Sequence, residues 1–103
     1  MFNFIKNIFS SDKVNYKELL MTGAQIIDVR TPWEFNNGHI KNSINIPLQQ
    51  LQSEMKKFDL KKPIITCFAS GMRSASAKSI LEQNGFEAYN GGGWSLLQNK
   101  LKQ

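Results

Sequence analysis

The spacing of apolar positions along this chain switches repeatedly between helical and strand periods. Met1, Phe2, Phe4, Ile5, Ile8 and Phe9 recur at helical spacing until Ser10-Ser11-Asp12 interrupts them. Residues 1–12 therefore read as a separable amphipathic segment ahead of a domain spanning 13–103. That segment is short and carries a single cation, Lys6, which favours packing on its own domain over attachment to a membrane surface. Asn15 with Glu18 predicts a helix start for Tyr16, Leu19 and Leu20, and Gly23 ends that helix, which spans about 16–22. Ala24 to Val29 is a short apolar run that predicts a buried strand. Thr31, Pro32 and Glu34 then provide an N-cap, a first-turn proline and an acid at the third helical position.

The alternation continues to the end of the chain. Ser43 to Ile46 predicts a strand stopped by Pro47, and Leu48, Leu51, Met55 and Phe58 define one face of a helix. Pro63 to Phe68 is a third buried run, followed by a small-residue turn and a helix over Arg73–Asn84, with Gly85 as the residue just past its end. Glu87 to Asn90 predicts a last strand, and Trp94, Leu97 and Leu101 the core face of a last helix. Strands alternating with helices predict an α/β fold, a three-layer sandwich around a mainly parallel central sheet.

Composition narrows the chemistry. With 103 residues the chain suits one domain with one core. Its 13 basic and 8 acidic side chains give a net charge of +5. Nearly all the cations are lysines, scattered rather than clustered and not interleaved with aromatics, which argues against nucleic acid as a partner and weakly favours an acidic protein partner. One cysteine excludes an internal disulfide and a cysteine-cluster zinc site, and a free thiol suits a cytoplasmic location. No apolar run is long enough to span a membrane. The scarce reactive side chains are Cys67, His39, Arg30 and Arg73.

In an open parallel sheet, ligands bind beyond the carboxyl ends of the strands. The segment Cys67-Phe68-Ala69-Ser70-Gly71-Met72-Arg73-Ser74 runs from an apolar strand through small residues into a helix. Small side chains let successive backbone N–H groups turn inward, and the helix start adds its positive dipole, so Phe68 to Arg73 is a candidate anion loop. Arg73 is suited to clamp a sulfo or phospho group. An ordinary strand-turn-helix corner with a buried cysteine explains the same residues. The glycines at 91–93 lack the Lys and Ser/Thr of a phosphate-binding P-loop.

Several motifs occurring in order carry a resemblance. Ile26-Ile27-Asp28-Val29-Arg30, Glu34, Gly38-His39-Ile40, Asn45-Ile46-Pro47, Ala69-Ser70-Gly71-Met72-Arg73-Ser74 and Gly91-Gly92-Gly93-Trp94 together resemble a single-domain rhodanese over about residues 13–101. The resemblance implies a sulfurtransferase fold whose loop cysteine takes a sulfane sulfur from thiosulfate or another small anionic donor and passes it on as a persulfide. It implies no metal or organic cofactor. It makes Cys67 the candidate nucleophile, Phe68, Ala69, Ser70, Gly71, Met72 and Arg73 the candidate substrate-binding loop, and Asp28 and Arg30 supporting residues. His39 falls in a scaffold motif outside the loop.

The chain departs from the family at the nucleophile. The family loop is Cys-x-x-Gly-x-Arg, and counting back from Arg73 through Gly71 puts Phe68, not Cys67, at the cysteine position. Three readings stay open. Phe68 replaces the nucleophile and Cys67 belongs to the strand, leaving a binding module. Alternatively, the strand ends one residue early and Cys67 heads an enlarged, active loop. In the third reading the Cys-x5-Arg length is that of cell-cycle phosphatases and accommodates a phosphate or arsenate.

Overall fold

The computed structural model describes residues 14–69 and 71–102, with the backbone alone at 71–74. The predicted N-terminal segment over 1–12 lies outside the described residues. In chain order the elements are α1 (Tyr16–Met21), β1 (Gln25–Asp28), α2 (Pro32–Asn36), β2 (Ile44–Asn45), a 3₁₀ turn (Leu48–Gln50), α3 (Leu51–Glu54) and a second 3₁₀ turn (Met55–Lys57). They continue with β3 (Ile64–Phe68), α4 (Gly71–Gln83), β4 (Ala88–Gly93) and α5 (Trp94–Lys102). The four strands form one sheet in the order β2-β1-β3-β4, and every pairing is parallel.

Apolar side chains from the two faces of the sheet build two cores, because successive strand residues point to opposite sides. On one face Ile27, Val29, Ile64 and Phe68 pack with Leu51 and Met55 and with Ala77 and Leu81 of α4. On the other, Ile26, Ile65 and Cys67 pack with Leu97, and Tyr16, Leu19, Trp94 and Leu101 cover them from α1 and α5. The result is the predicted α/β arrangement of helices on both sides of a parallel sheet.

Local chemistry explains the element ends. The Asn15 side chain accepts the Glu18 N–H at 3.1 Å and starts α1. Thr31 and Glu34 close a reciprocal capping box at α2, with Pro32 in the first turn. Gly85, at φ +89°, ends α4: its N–H donates to the Glu82 carbonyl, and the Phe86 N–H reaches back to the Leu81 carbonyl. Phe86 and Leu81 then meet in the same core.

Two elements differ from the sequence pattern. The apolar face Leu48, Leu51, Met55, Phe58 is not one helix but a 3₁₀ turn, one α turn and a second 3₁₀ turn. Its spacings of three, four and three residues match this mixture, since side chains three apart eclipse in a 3₁₀ turn. β4 also extends past Asn90 to Gly93. A Cβ on Gly91 would lie 2.7 Å from the Thr66 carbonyl oxygen, so only glycine lets β4 follow β3 there. Further along, the register between the two strands slips, with two residues of β4 opposing Cys67 alone. Gly92, at φ +76°, absorbs this bulge, and its N–H donates to Asn90 Oδ1 at 2.9 Å.

Candidate functional site

The predicted site residues gather at the carboxyl ends of β1 and β3. Asp28 ends β1, and its carboxylate is fully buried. The chain turns at Arg30 so that its guanidinium folds back onto that carboxylate. Arg30 Nε and the terminal Nη2 donate to the two Asp28 oxygens at 2.7–3.0 Å, and the Arg30 backbone N–H donates to Asp28 Oδ1 at 3.0 Å. Arg30 Nη2 also donates to the Gly38 carbonyl at 2.6 Å. The Trp94 ring covers the guanidinium, whose carbon lies 4.7 Å from the ring centroid. Among the described residues no buried side-chain nitrogen or oxygen lacks a hydrogen-bond partner, so this buried pair is compensated. Asp28 and Arg30 thus brace one another and the α2–β2 connection, with the polar capacity of both directed into the protein.

Neighbouring residues complete the brace. The Asn45 side-chain amide donates to the Asp28 and Arg30 carbonyls at 3.0 and 2.9 Å, tying β2 to the turn after β1. A Cβ on Gly38, at φ +142°, would lie 3.1 Å from the Trp94 ring, so glycine lets the ring and the Arg30-bound carbonyl approach together. In the sequence Asn45 reads as a strand residue, Gly38 as part of a motif and Trp94 as a core-facing residue of the last helix. Their joint role depends on contacts between distant segments, and no local periodicity signals it. His39 is exposed, stacks on Phe35 with centroids 3.7 Å apart, and sits 2.7 Å from the Phe35 carbonyl through Nδ1. That makes it a finishing contact for α2.

The two candidates for the nucleophile position point in opposite directions. β3 continues through Phe68, and although its register with β4 slips between Thr66 and Phe68, the side-chain alternation holds, with Cys67 and Phe68 in opposite cores. Cys67 pairs with Asp28 across the sheet and sends its thiol to the α1 and α5 face, at 0% exposure. Burial and the Asp28 carboxylate push the thiol up from an ordinary 9.0 to about 12, against a smaller lowering by Arg30. Phe68 faces the other core, the one formed with α4. Ala77 and Leu81 share that core, so the body of α4 packs on the Phe68 side of the sheet. Ala69 is exposed in that turn and Gly71 opens α4. Ser70 and the side chains of Met72 and Arg73 lie outside the described residues. The structure therefore brings Asp28, Arg30 and Cys67 together on one face and sets Phe68 apart from them.

This geometry can be set beside known proteins. The family model for the rhodanese-like domain matches residues 13–100. The chain is 41% identical over 81 residues to the uncharacterized protein YqhL of Bacillus subtilis (strain 168), covering 77% of this chain and 64% of that one. It is 38% identical over 79 residues to the thiosulfate sulfurtransferase GlpE of Stutzerimonas stutzeri (strain A1501), covering 75% of this chain and 72% of GlpE. The crystal structure of a rhodanese-like domain protein from Staphylococcus aureus superposes with a TM-score of 0.71 at 32% identity, over 85% of this chain and 86% of that one. The chain thus spans less than two thirds of the length of the first of these relatives.

Proposed function

Because this chain belongs to the rhodanese-like domain family, we propose that it is an anion-binding module of that fold in which Phe68 stands at the nucleophile position and Cys67 is a core residue. The observation that carries this reading is the placement of Cys67. Its thiol is fully buried, lies on the face opposite α4 and is held protonated by its surroundings. Sulfur transfer through Cys67 and Cys-x5-Arg phosphatase chemistry both begin with a thiolate attacking a substrate atom, and a buried, neutral thiol disfavours both. What remains is the turn of small residues from Phe68 into α4, whose backbone N–H groups and helix start suit a small oxyanion or the anionic end of a sulfane donor.

A thiosulfate–cyanide assay tests this. The wild-type protein should release no thiocyanate above background, and Phe68→Cys should gain turnover by placing a thiol beside the start of α4. Wild-type turnover that Cys67→Ser abolishes contradicts the reading.

A second reading draws on the relatives named as thiosulfate sulfurtransferases. In it the end of β3 loosens so that Cys67 leaves the core, and its thiolate attacks the outer sulfur of thiosulfate. A persulfide forms as the sulfur–sulfur bond of the donor breaks and sulfite departs with the electron pair. This requires pulling Cys67 from its pairing with β1, where its carbonyl accepts the Val29 N–H at 3.0 Å, which the first reading does not.

A further inference from the structure

We propose that the groove between the second 3₁₀ turn, the connector before β3 and the end of α4 docks an acidic segment of a partner protein through one bulky apolar side chain. The groove is a cavity of about 270 Å³ lined by Met55, Lys56, Phe58, Leu60, Asn84 and Phe86. Small-molecule sites run to roughly 300–1,000 Å³, so this volume suits a single side chain rather than a cofactor. Its walls are largely apolar, yet Leu60 on its rim is 57% exposed. Its side chain therefore borders the cavity and is open to an occupant.

The charge around the groove selects the partner. Lys56 lines it, Lys57 follows in the same 3₁₀ turn, and Lys61 and Lys62 sit on the connector before β3. Lys56, Lys61 and Lys62 are exposed, and among the described residues none of them makes an ion pair. Four lysines, Lys56, Lys57, Lys61 and Lys62, stand against two carboxylates, Glu54 and Asp59, over this stretch. Glu54 pairs with Lys57 at 3.0 Å, and Asp59 accepts the Lys61 backbone N–H at 2.9 Å. One lysine in the wall of an apolar pocket and three more close by in sequence complement a peptide that alternates Asp or Glu with one Leu, Phe or Trp, and the lysines would steer its approach. Leu60 precedes β3 and Phe86 precedes β4, which places the groove at the amino ends of the strands. A partner held there leaves the turn between β3 and α4 uncovered. The inference is independent of whether that turn carries catalysis.

A random dodecapeptide library displayed on phage and panned against the full chain tests the proposal. Selected peptides should be rich in Asp and Glu around one bulky apolar residue. Binding of the synthetic peptides, followed by fluorescence anisotropy, should weaken roughly tenfold or more in Leu60→Asp and in a Lys56→Glu/Lys61→Glu/Lys62→Glu variant, and should fall with added salt. Both variants alter exposed side chains, and circular dichroism checks that they fold. Selection of no acidic consensus, or of peptides insensitive to both variants, overturns the proposal. So does sedimentation with phosphatidylserine vesicles that both variants abolish when no peptide is selected, because the groove would then face a membrane.

Discussion

Cys67 and Phe68 are neighbours in sequence, yet they close two very different regions of the same sheet end. On the Cys67 side the strand meets a buried carboxylate, a guanidinium hydrogen-bonded to it and to a carbonyl, and an indole above the guanidinium. Among the described residues, no buried side-chain nitrogen or oxygen there lacks a hydrogen-bond partner. On the Phe68 side the strand meets an apolar core and then turns through small residues into a helix start. The polar side is closed by contacts within the protein, and the proposed anion site lies on the other. A reactive residue type in a polar neighbourhood is thus no guide to function when that neighbourhood is closed on itself.

The contrast predicts a ranking of effects. Removing Asp28 should be the most damaging, because Arg30 would remain buried without its counter-charge. Asp28→Ala should lose about 3–5 kcal/mol in urea unfolding, and Asp28→Ala/Arg30→Met should lose less than the two single variants combined. If the double variant is fully additive, the pair is not the closed unit described here. Gly91→Ala should follow, at about 1–3 kcal/mol, because its Cβ would press on the Thr66 carbonyl and on Leu97. An unchanged unfolding midpoint would show that β4 does not need that close approach.

The thiol sets the next effect. Because folding raises its pKa from an ordinary 9.0 to about 12, the folded state favours the neutral thiol. The associated stability is fully present below the unfolded value and is lost as pH rises through the folded one. Between neutral pH and pH 10, wild type should lose about 1 kcal/mol more than Cys67→Ala in parallel denaturant titrations. Iodoacetamide should accordingly label native Cys67 only as fast as the protein unfolds, and labelling at the rate of a free thiol contradicts its burial. The smallest effect belongs to Trp33, which is 74% exposed, and Trp33→Ala should shift stability by less than about 0.5 kcal/mol.

Much of this was legible in the chain because the signals are local. Thr31-Pro32-Glu34 marks a helix start wherever it folds, and Gly85 can end α4 because its φ is positive. Strand alternation offers opposite faces for Cys67 and Phe68 as one of three open readings, and the unbroken strand through Phe68 is what selects it. What stayed hidden depends on distant contacts. Glycine disfavours strands, so the extension of β4 over Gly91–Gly93 is intelligible only beside the Thr66 carbonyl. Likewise Trp94 over Arg30 joins residues whose proximity no periodicity encodes. The broken helix after Pro47 was present in the three-four-three spacing of its apolar residues, but a helical period absorbs that spacing almost as well.

Intact-mass spectrometry after incubation with thiosulfate tests the central claim most directly, using wild type beside Phe68→Cys. The account predicts that wild type keeps its mass while Phe68→Cys gains one sulfur atom, located by fragmentation on residue 68. One sulfur atom gained by the wild-type protein and mapped to Cys67 would contradict it.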